Sequence, residues 1–240
     1  MPTFAPGIRP PMFLMNKYER EIYKIVVLPT LKLMQKNFNE FGGEYSALMV
    51  QMLRYEAVFT ADDVSDSVTV IATEMFDWYH RRFTKQMRKH IGIPVPWKDN
   101  PRLLDLFDDF VKRNVDLIVT IPPRLIDQFE KESKRLLRED PLNQEAVKLA
   151  ARKYQTGKHP YLGRRVGRDQ TSKLINQLAE VMQTDAGITS YKWITARDDA
   201  VRPEHVANSN KTFLWSSPPP ITGPPGQDIQ CRCYASPQIP

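Results

Sequence analysis

The 240-residue sequence lacks the features that identify most enzymes and membrane proteins. No apolar run approaches the ~20 residues that a membrane span requires, so the sequence predicts no transmembrane helix. The first fifteen residues, MPTFAPGIRPPMFLM, contain four prolines and no charged leading region, which predicts that they are not a secretory signal. A phosphate-binding loop, a dinucleotide fingerprint, a paired-carboxylate spacing and a base-reading motif are also missing from the sequence. These absences argue against the corresponding classes of enzyme and of DNA reader.

Cysteine is scarce as well, with only Cys231 and Cys233 in a C-x-C arrangement. Two cysteines do not make a disulfide framework, and a bond between residues this close would be strained. The pair is therefore expected to consist of free thiols or of metal ligands. A soluble protein made in a reducing cytosol is the default expectation.

Positive charge is present and is concentrated in one segment. The net charge of +6 equals the excess of seven basic residues over the single acid Asp169 between positions 152 and 173. Two interpretations stay open: a solvated connector, or a contact with a polyanion or an acidic partner, in which case any DNA contact would be to phosphates. The seven residues are Arg152, Lys153, Lys158, Arg164, Arg165, Arg168 and Lys173.

Helical periodicity dominates the first three quarters of the chain. The pattern predicts a helix over 16–38 that Pro29 kinks or splits, and a long helix up to His90 that begins at a capping box formed by Thr60 and Asp63. Residues 44–59 fit a helix or a strand. Further helices are predicted over 101–120, 122–137, 141–154 and 168–186, the last ending at Gly187.

The last fifty residues show a different pattern. Alternation over 190–195 predicts a strand, Pro203 suits the first turn of a short helix carrying His205, and 212–215 and 230–235 predict two further strands. The predicted fold class is α+β, with a predominantly helical N-terminal body followed by a small C-terminal module of short strands and a short helix. The predicted domains are an extended proline-rich arm without packing of its own (1–15), a helical domain (16–160) and the C-terminal module (161–240).

The C-terminal module resembles the Mu F-like minor head proteins of tailed bacteriophages, a family that includes the SPP1-type head morphogenesis proteins. The helix over about 168–186 resembles the family's lead-in helix, and Asn208-Ser209-Asn210 replaces its usual Leu-Asp-Gly turn. Asparagine tolerates a positive φ, so a tight turn is still expected there. The matching residues are Trp193, Thr195, Asp198, Val201, Arg202, Pro203, His205, Phe213, Trp215, Pro225, Gly226, Asp228, Ile229, Cys231, Arg232 and Cys233.

This resemblance implies a minor head protein, a low-copy internal component of the capsid that acts in procapsid assembly near the portal and in DNA packaging or delivery. The implied partners are the portal protein and the major capsid or scaffolding protein, with non-specific DNA contact. The implied location is the virion interior, after synthesis in the host cytoplasm. No enzymatic activity is expected.

Four residues of the module have the chemistry of a structural zinc site: Asp198, His205, Cys231 and Cys233. Cysteines two apart in a regular strand would have Cα atoms roughly 6.6 Å apart, so the strand would have to bend for both to bind one ion. The alternative is that no metal binds, that both cysteines pack as small apolar residues, and that His205 is hydrogen-bonded to Asp198.

Two other interpretations concern the same residues. Trp193 and Trp215 are expected in the module core, and Arg202 or Arg232 is expected to pair with Asp198, Asp199 or Asp228 in a network that holds the loops. The alternative function is an enzyme carried in the virion, either metal-dependent or built on a thiol triad of Cys231 or Cys233 with His205 and Asp198. No nucleophile elbow or glycine-lined oxyanion site supports that alternative.

Overall fold

Nine α-helices, a π-helix (Tyr23–Val27), a 3-10 helix (Trp97–Asp99) and four short strands form the part of the chain that the computed structural model describes, residues 3–155 and 161–239. No helix among these residues is both long and apolar enough to cross a membrane. The helices are α1 (Met12–Ile22), α2 (Leu28–Glu40), α3 (Ala47–Glu56), α4 (Ala61–Ile91), α5 (Pro101–Ile118), α6 (Ile121–Glu139), α7 (Gln144–Gln155), α8 (Tyr161–Asp185) and α9 (Pro203–Asn208). The strands are β1 (Thr3–Phe4), β2 (Ser190–Ile194), β3 (Thr212–Leu214) and β4 (Tyr234–Ile239). The α+β class and the helical body are confirmed.

Local signals set several helix ends. A π-helical segment over Tyr23–Val27 lies between α1 and α2, whose first turn contains Pro29, so the predicted irregularity near the proline takes the form of a π-helix and the backbone stays helical through it. At the start of α4, Asp63 Oδ2 accepts hydrogen bonds from both the backbone N–H and the hydroxyl of Thr60, and the first of these is the carboxylate half of the predicted capping box. Gly187 follows α8 with φ +76, a conformation that favours glycine.

Residues 44–59, for which the sequence allows a helix or a strand, form helix α3. Ser46 is its N-cap, and its hydroxyl accepts a hydrogen bond from Met49 N at 3.0 Å. Met49, Val50 and Leu53 are buried, whereas Leu48, Met52 and Tyr55 are exposed. The apolar residues therefore cover both sides of this short helix, which is why periodicity alone does not identify it.

The described residues form two units, each drawn from separate segments of the chain. The sheet-containing unit comprises Met1–Tyr18, Thr69–Val111 and Gly167–Pro240. The helical unit comprises Glu19–Val68 and Lys112–Val166. Helices α1, α4, α5 and α8 each contribute residues to both units.

An antiparallel sheet with strand order β1-β4-β2-β3 lies in the sheet-containing unit. Tyr191 and Trp193 on β2 are buried, while Lys192 and Ile194 on the opposite face are half-buried, as the alternation predicts. The expectation that the N-terminal segment has no packing of its own is wrong. Thr3 and Phe4 pair with β4, and the carbonyl of Ala5 accepts a hydrogen bond from the Ser236 hydroxyl.

Candidate metal centre

Three side chains with metal-binding chemistry meet in the interior of the sheet-containing unit. His205 lies on α9, and Cys231 and Cys233 lie in the loop that leads into β4. The Nδ1 atom of His205 is 3.4 Å from the Sγ atom of Cys231 and 3.5 Å from that of Cys233. All three ligand atoms lie within 4.8 Å of one another, and all three residues are buried.

The carboxylate hydrogen-bonded to His205 is Asp228, and not Asp198, to which the no-metal alternative assigns this contact. His205 Nε2 lies 2.7 Å from Asp228 Oδ2. Asp198 lies outside the His–Cys–Cys group, because its carboxylate pairs with Arg232 at 2.7 Å and caps the backbone N–H of Ala200. Both aspartates fit the sequence pattern, and only the folded path of the loops decides between them.

The two cysteines do not lie in a strand. The predicted strand over 230–235 begins only at Tyr234, and Gln230 adopts φ +60, an uncommon value for a residue other than glycine. A turn immediately before Cys231 therefore replaces regular strand geometry, and both sulfurs reach the same imidazole nitrogen. The bend that zinc binding by a C-x-C pair would require is present.

Helix α8 holds the cysteine segment, residues 230–233, through three polar side chains. Asp169 Oδ1 accepts a hydrogen bond from Gln230 N at 2.6 Å, and the Ser172 hydroxyl donates to the Cys231 carbonyl at 2.5 Å. Asn176 Nδ2 donates to the Cys233 carbonyl at 3.1 Å. These side chains, called the α8 clamp here, lie on one helix face because they are spaced three and four residues apart.

The turn before the cysteine segment lies close to helix α8, where the Gly226 backbone meets the Asn176 side chain. Gly226 has φ +84, and a Cβ atom there would lie only 2.4 Å from Asn176 Nδ2. Both the backbone conformation and the lack of space require glycine at this position. Asn176 therefore contacts the turn as well as the cysteine segment.

Aromatic rings enclose the cysteines. Trp193 is fully buried and meets the His205 ring edge-on at a centroid distance of 5.4 Å. Trp215 is 7% exposed, and its indole N–H donates to Gln183 Oε1 on α8. The two tryptophans thus lie where the sequence expects them, in a cluster with Tyr191, Cys231, Cys233 and Ala235.

A hydrogen bond couples the two thiols. The hydrogen bond with Cys233 lowers the pKa of Cys231 to about 6, against the burial that acts to raise it. The same hydrogen bond raises the pKa of Cys233 above its ordinary range. The two sulfurs therefore act as one coupled pair beside the imidazole.

Cys231 also lines a surface pocket of about 440 Å³ in the sheet-containing unit. Arg168, Arg202 and Arg232 lie around it, with Met12, Met15 and Ile229 supplying apolar contacts. Arg202 donates to the Ile229 carbonyl at 2.8 Å, so of the two expected arginines it is Arg232 that pairs with an aspartate. Arg168 Nε is buried and has no hydrogen-bond partner among the described residues.

The predicted basic connector is divided between the two units. Arg164 pairs with Glu19 in the helical unit, whereas Lys173 pairs with Asp169 in the sheet-containing unit. Arg165 also has an interaction partner. Arg152 and Lys153 belong to α7, and Lys158 lies outside the described residues.

Sequence reasoning misses the α8 clamp and Asp228 as the partner of His205. The apolar side of α8 is predicted correctly, since Leu174, Ile175 and Leu178 are buried. A signal for the clamp is nevertheless present, because Asp169, Ser172 and Asn176 recur at spacings that keep them on one helix face. Polar residues repeated at helical spacing indicate a neighbouring buried segment whose backbone N–H and C=O groups need hydrogen-bond partners from the helix.

Comparisons with known proteins identify similarities to this chain. The family model described as "Phage Mu protein F like protein" matches residues 131–236. A Haemophilus influenzae protein (strain ATCC 51907 / DSM 11121 / KW20 / Rd), named "Uncharacterized protein", is 26% identical over 163 residues, which is 67% of this chain. The aligned chain spans 36% of that relative's length. No solved structure matches the chain.

Proposed function

We propose, from the match of residues 131–236 to the family model described as "Phage Mu protein F like protein", that this protein is a minor head protein of a tailed bacteriophage. Its role is that of a low-copy internal component of the capsid, acting in procapsid assembly near the portal. The family match carries the proposal. The extended apolar surface of helix α3 supports a role in binding another head protein.

This surface, called the α3 stripe here, consists of Leu48, Met52 and Tyr55. Their exposed fractions are 58%, 39% and 85%. The spacings of four and three residues place them side by side on one helix face. Contiguous exposed apolar side chains are typical of protein interaction sites.

The partner that fits this stripe is the portal protein or the major capsid or scaffolding protein of the same phage. A helix that presents apolar residues at such spacing can lie in an apolar groove of a partner. Arg54, exposed on the same helix, pairs with Asp127 and Glu130 of α6. These ion pairs fix α3 against α6 while the stripe remains available.

Assembly of procapsids from purified head proteins tests the proposal. The protein is mixed with the portal, scaffolding and capsid proteins of the same phage, and its copies per particle are counted by quantitative mass spectrometry. The expected result is a low, reproducible copy number that the double substitution Leu48→Ser and Tyr55→Ser reduces at least tenfold. Leu142→Ser is the matched control, because Leu142 is 91% exposed but lies outside α3. Particles that never contain the wild-type protein would contradict the proposal.

DNA contact is the second element of the proposed role. Arg168, Arg202 and Arg232 around one pocket form a cationic surface that fits a phosphate group. Such contacts are independent of base sequence and weaken as salt rises, because counterions are released on binding.

Binding of the purified protein to duplex DNA at increasing salt tests this contact. Affinity should fall steeply with salt, and Arg168→Gln should reduce the slope of log K against log salt by about one unit. Lys173→Gln is the control and should change the slope less, because Lys173 is paired with Asp169. Affinity that stays constant between low and moderate salt would rule out the phosphate contact.

A further inference from the structure

We propose that His205, Cys231 and Cys233 bind one Zn²⁺ ion through the His205 Nδ1 atom and two cysteine sulfurs. Zinc in proteins is bound at about 2.3 Å by sulfur and about 2.0–2.1 Å by histidine nitrogen. In a tetrahedral site these bond lengths place a sulfur and a nitrogen ligand about 3.6 Å apart. The observed separations of 3.4 Å and 3.5 Å match that edge.

When the imidazole is neutral, the two sulfurs face a single lone pair on Nδ1. In a neutral imidazole one nitrogen donates and the other accepts. The carboxylate of Asp228 at Nε2 assigns the proton to Nε2, which leaves one lone pair on Nδ1. That lone pair accepts one thiol proton, whereas both sulfurs lie within 3.5 Å. A metal ion gives all three atoms a common partner.

The surroundings have the second layer of contacts typical of metal sites. Metal-binding histidines usually donate their other ring N–H to a carboxylate, as His205 does to Asp228. The backbone N–H of Cys233 lies 3.4 Å from the Cys231 sulfur and donates to it. Ser172 and Asn176 fix the carbonyls of the two cysteines, so the site is already ordered.

The pocket beside Cys231 provides a route for the ion. Two thiolates neutralise the charge of Zn²⁺, so the nearby guanidinium groups of Arg202 and Arg232 do not oppose binding. Among the described residues, no other histidine, cysteine, aspartate or glutamate joins the group. The fourth position of the tetrahedron therefore takes a water molecule from the pocket.

Metal loading of the full chain tests the proposal. Protein stripped with a chelator is titrated with Zn²⁺, and bound metal is counted by mass spectrometry. Co²⁺ is added in parallel as a probe, because its absorption reports sulfur ligands and tetrahedral geometry. The expected result is one ion per chain and a thiolate-to-cobalt band. Sub-stoichiometric zinc together with no such band in the wild-type protein would overturn the proposal.

Substitutions identify the ligands. Cys231→Ser and Cys233→Ser should each abolish the cobalt band. Asp228→Asn should weaken metal affinity about 10–100-fold, as loss of an orienting partner does. Asp198→Asn is the matched control and should leave affinity unchanged, because Asp198 pairs with Arg232. Equal loss of affinity in the two aspartate variants would refute the assigned geometry, even if the cysteine variants fail to fold.

The rate of thiol alkylation distinguishes a zinc site from a nucleophilic thiol at the same residues. The Cys231–His205–Asp228 arrangement also has the order of a thiol, a base and an orienting carboxylate. If the residues hold zinc, added Zn²⁺ should slow alkylation of Cys231 by iodoacetamide at least tenfold, and a chelator should reverse the effect. Rapid alkylation that Zn²⁺ does not slow would favour the nucleophile and contradict the metal site.

Discussion

Different kinds of contact are found inside the helical unit and inside the sheet-containing unit. In the helical unit, apolar side chains from α2 and α6 meet directly, as in the edge-on pair of Phe38 and Phe129 with centroids 6.4 Å apart. In the sheet-containing unit, the cysteine segment is held through the polar α8 clamp. Apolar packing tolerates a change of residue if volume is kept, whereas a polar clamp requires specific atoms at specific places.

The largest expected effect comes from opening the apolar core of the helical unit. Phe129 is 2% exposed, and Phe129→Ala should destabilise the protein by about 3–5 kcal/mol, because it removes buried area and leaves a cavity. The measurement is urea unfolding followed by far-ultraviolet circular dichroism.

Tryptophan fluorescence provides an internal comparison for Phe129→Ala. All four tryptophans lie in the sheet-containing unit, so a change in their emission reports the unfolding of that unit.

Phe129→Leu, which keeps most of the side-chain volume, should lose less than half as much stability as the alanine variant. A loss below about 1 kcal/mol for the alanine variant would show that Phe129 does not support the core.

A somewhat smaller effect is expected at the turn of the sheet-containing unit. Gly226→Ala should cost about 2–4 kcal/mol, since the positive φ is strained for alanine and the added carbon overlaps Asn176. Unfolding followed by tryptophan fluorescence measures the change.

Gly92→Ala is the matched control for Gly226→Ala, because Gly92 has φ +77 but no atom within 4 Å of an added Cβ. It should cost only the backbone part, about 1–2 kcal/mol. Equal losses in the two variants would mean that the contact with Asn176 contributes nothing.

The smallest of the three effects should come from Ser172→Ala. This change leaves the Cys231 carbonyl without its donor in the interior, which costs about 1–3 kcal/mol. Ser67→Ala, at a half-buried serine on α4, serves as the comparison and should change stability by less than about 0.5 kcal/mol. If the Ser172→Ala variant is as stable as wild type, this hydrogen bond of the α8 clamp does not stabilise the fold.

The contrast between apolar packing and the polar clamp also explains which features the sequence predicts. The periodicity of the helices, the irregularity near Pro29, the helix end at Gly187 and the tight turn at Asn210 are local properties, and the structure agrees with the sequence there. Trp193 and Trp215, which the sequence places in the module core, are buried in one cluster with both cysteines, since large apolar side chains are seldom left in solvent.

Contacts between distant parts of the sequence were not predictable in the same way. Ser172 and Cys231 are 59 residues apart, and Asn176 and Cys233 are 57 apart, so no local pattern links the helix to the segment it holds. The choice of Asp228 over Asp198 as the partner of His205 depends on how two loops fold. The structure therefore adds the polar contacts to a core that the sequence already indicates.

The pairing of β1 with β4 has a consequence for how the protein is made. Thr3 lies opposite Ile239, so this edge of the sheet joins the earliest and the latest described residues to leave the ribosome. Contacts between residues so far apart in sequence carry a large entropic cost of loop closure and form slowly. During translation β1 therefore waits without its partner until β4 has emerged, and completion of the sheet is a late step in folding.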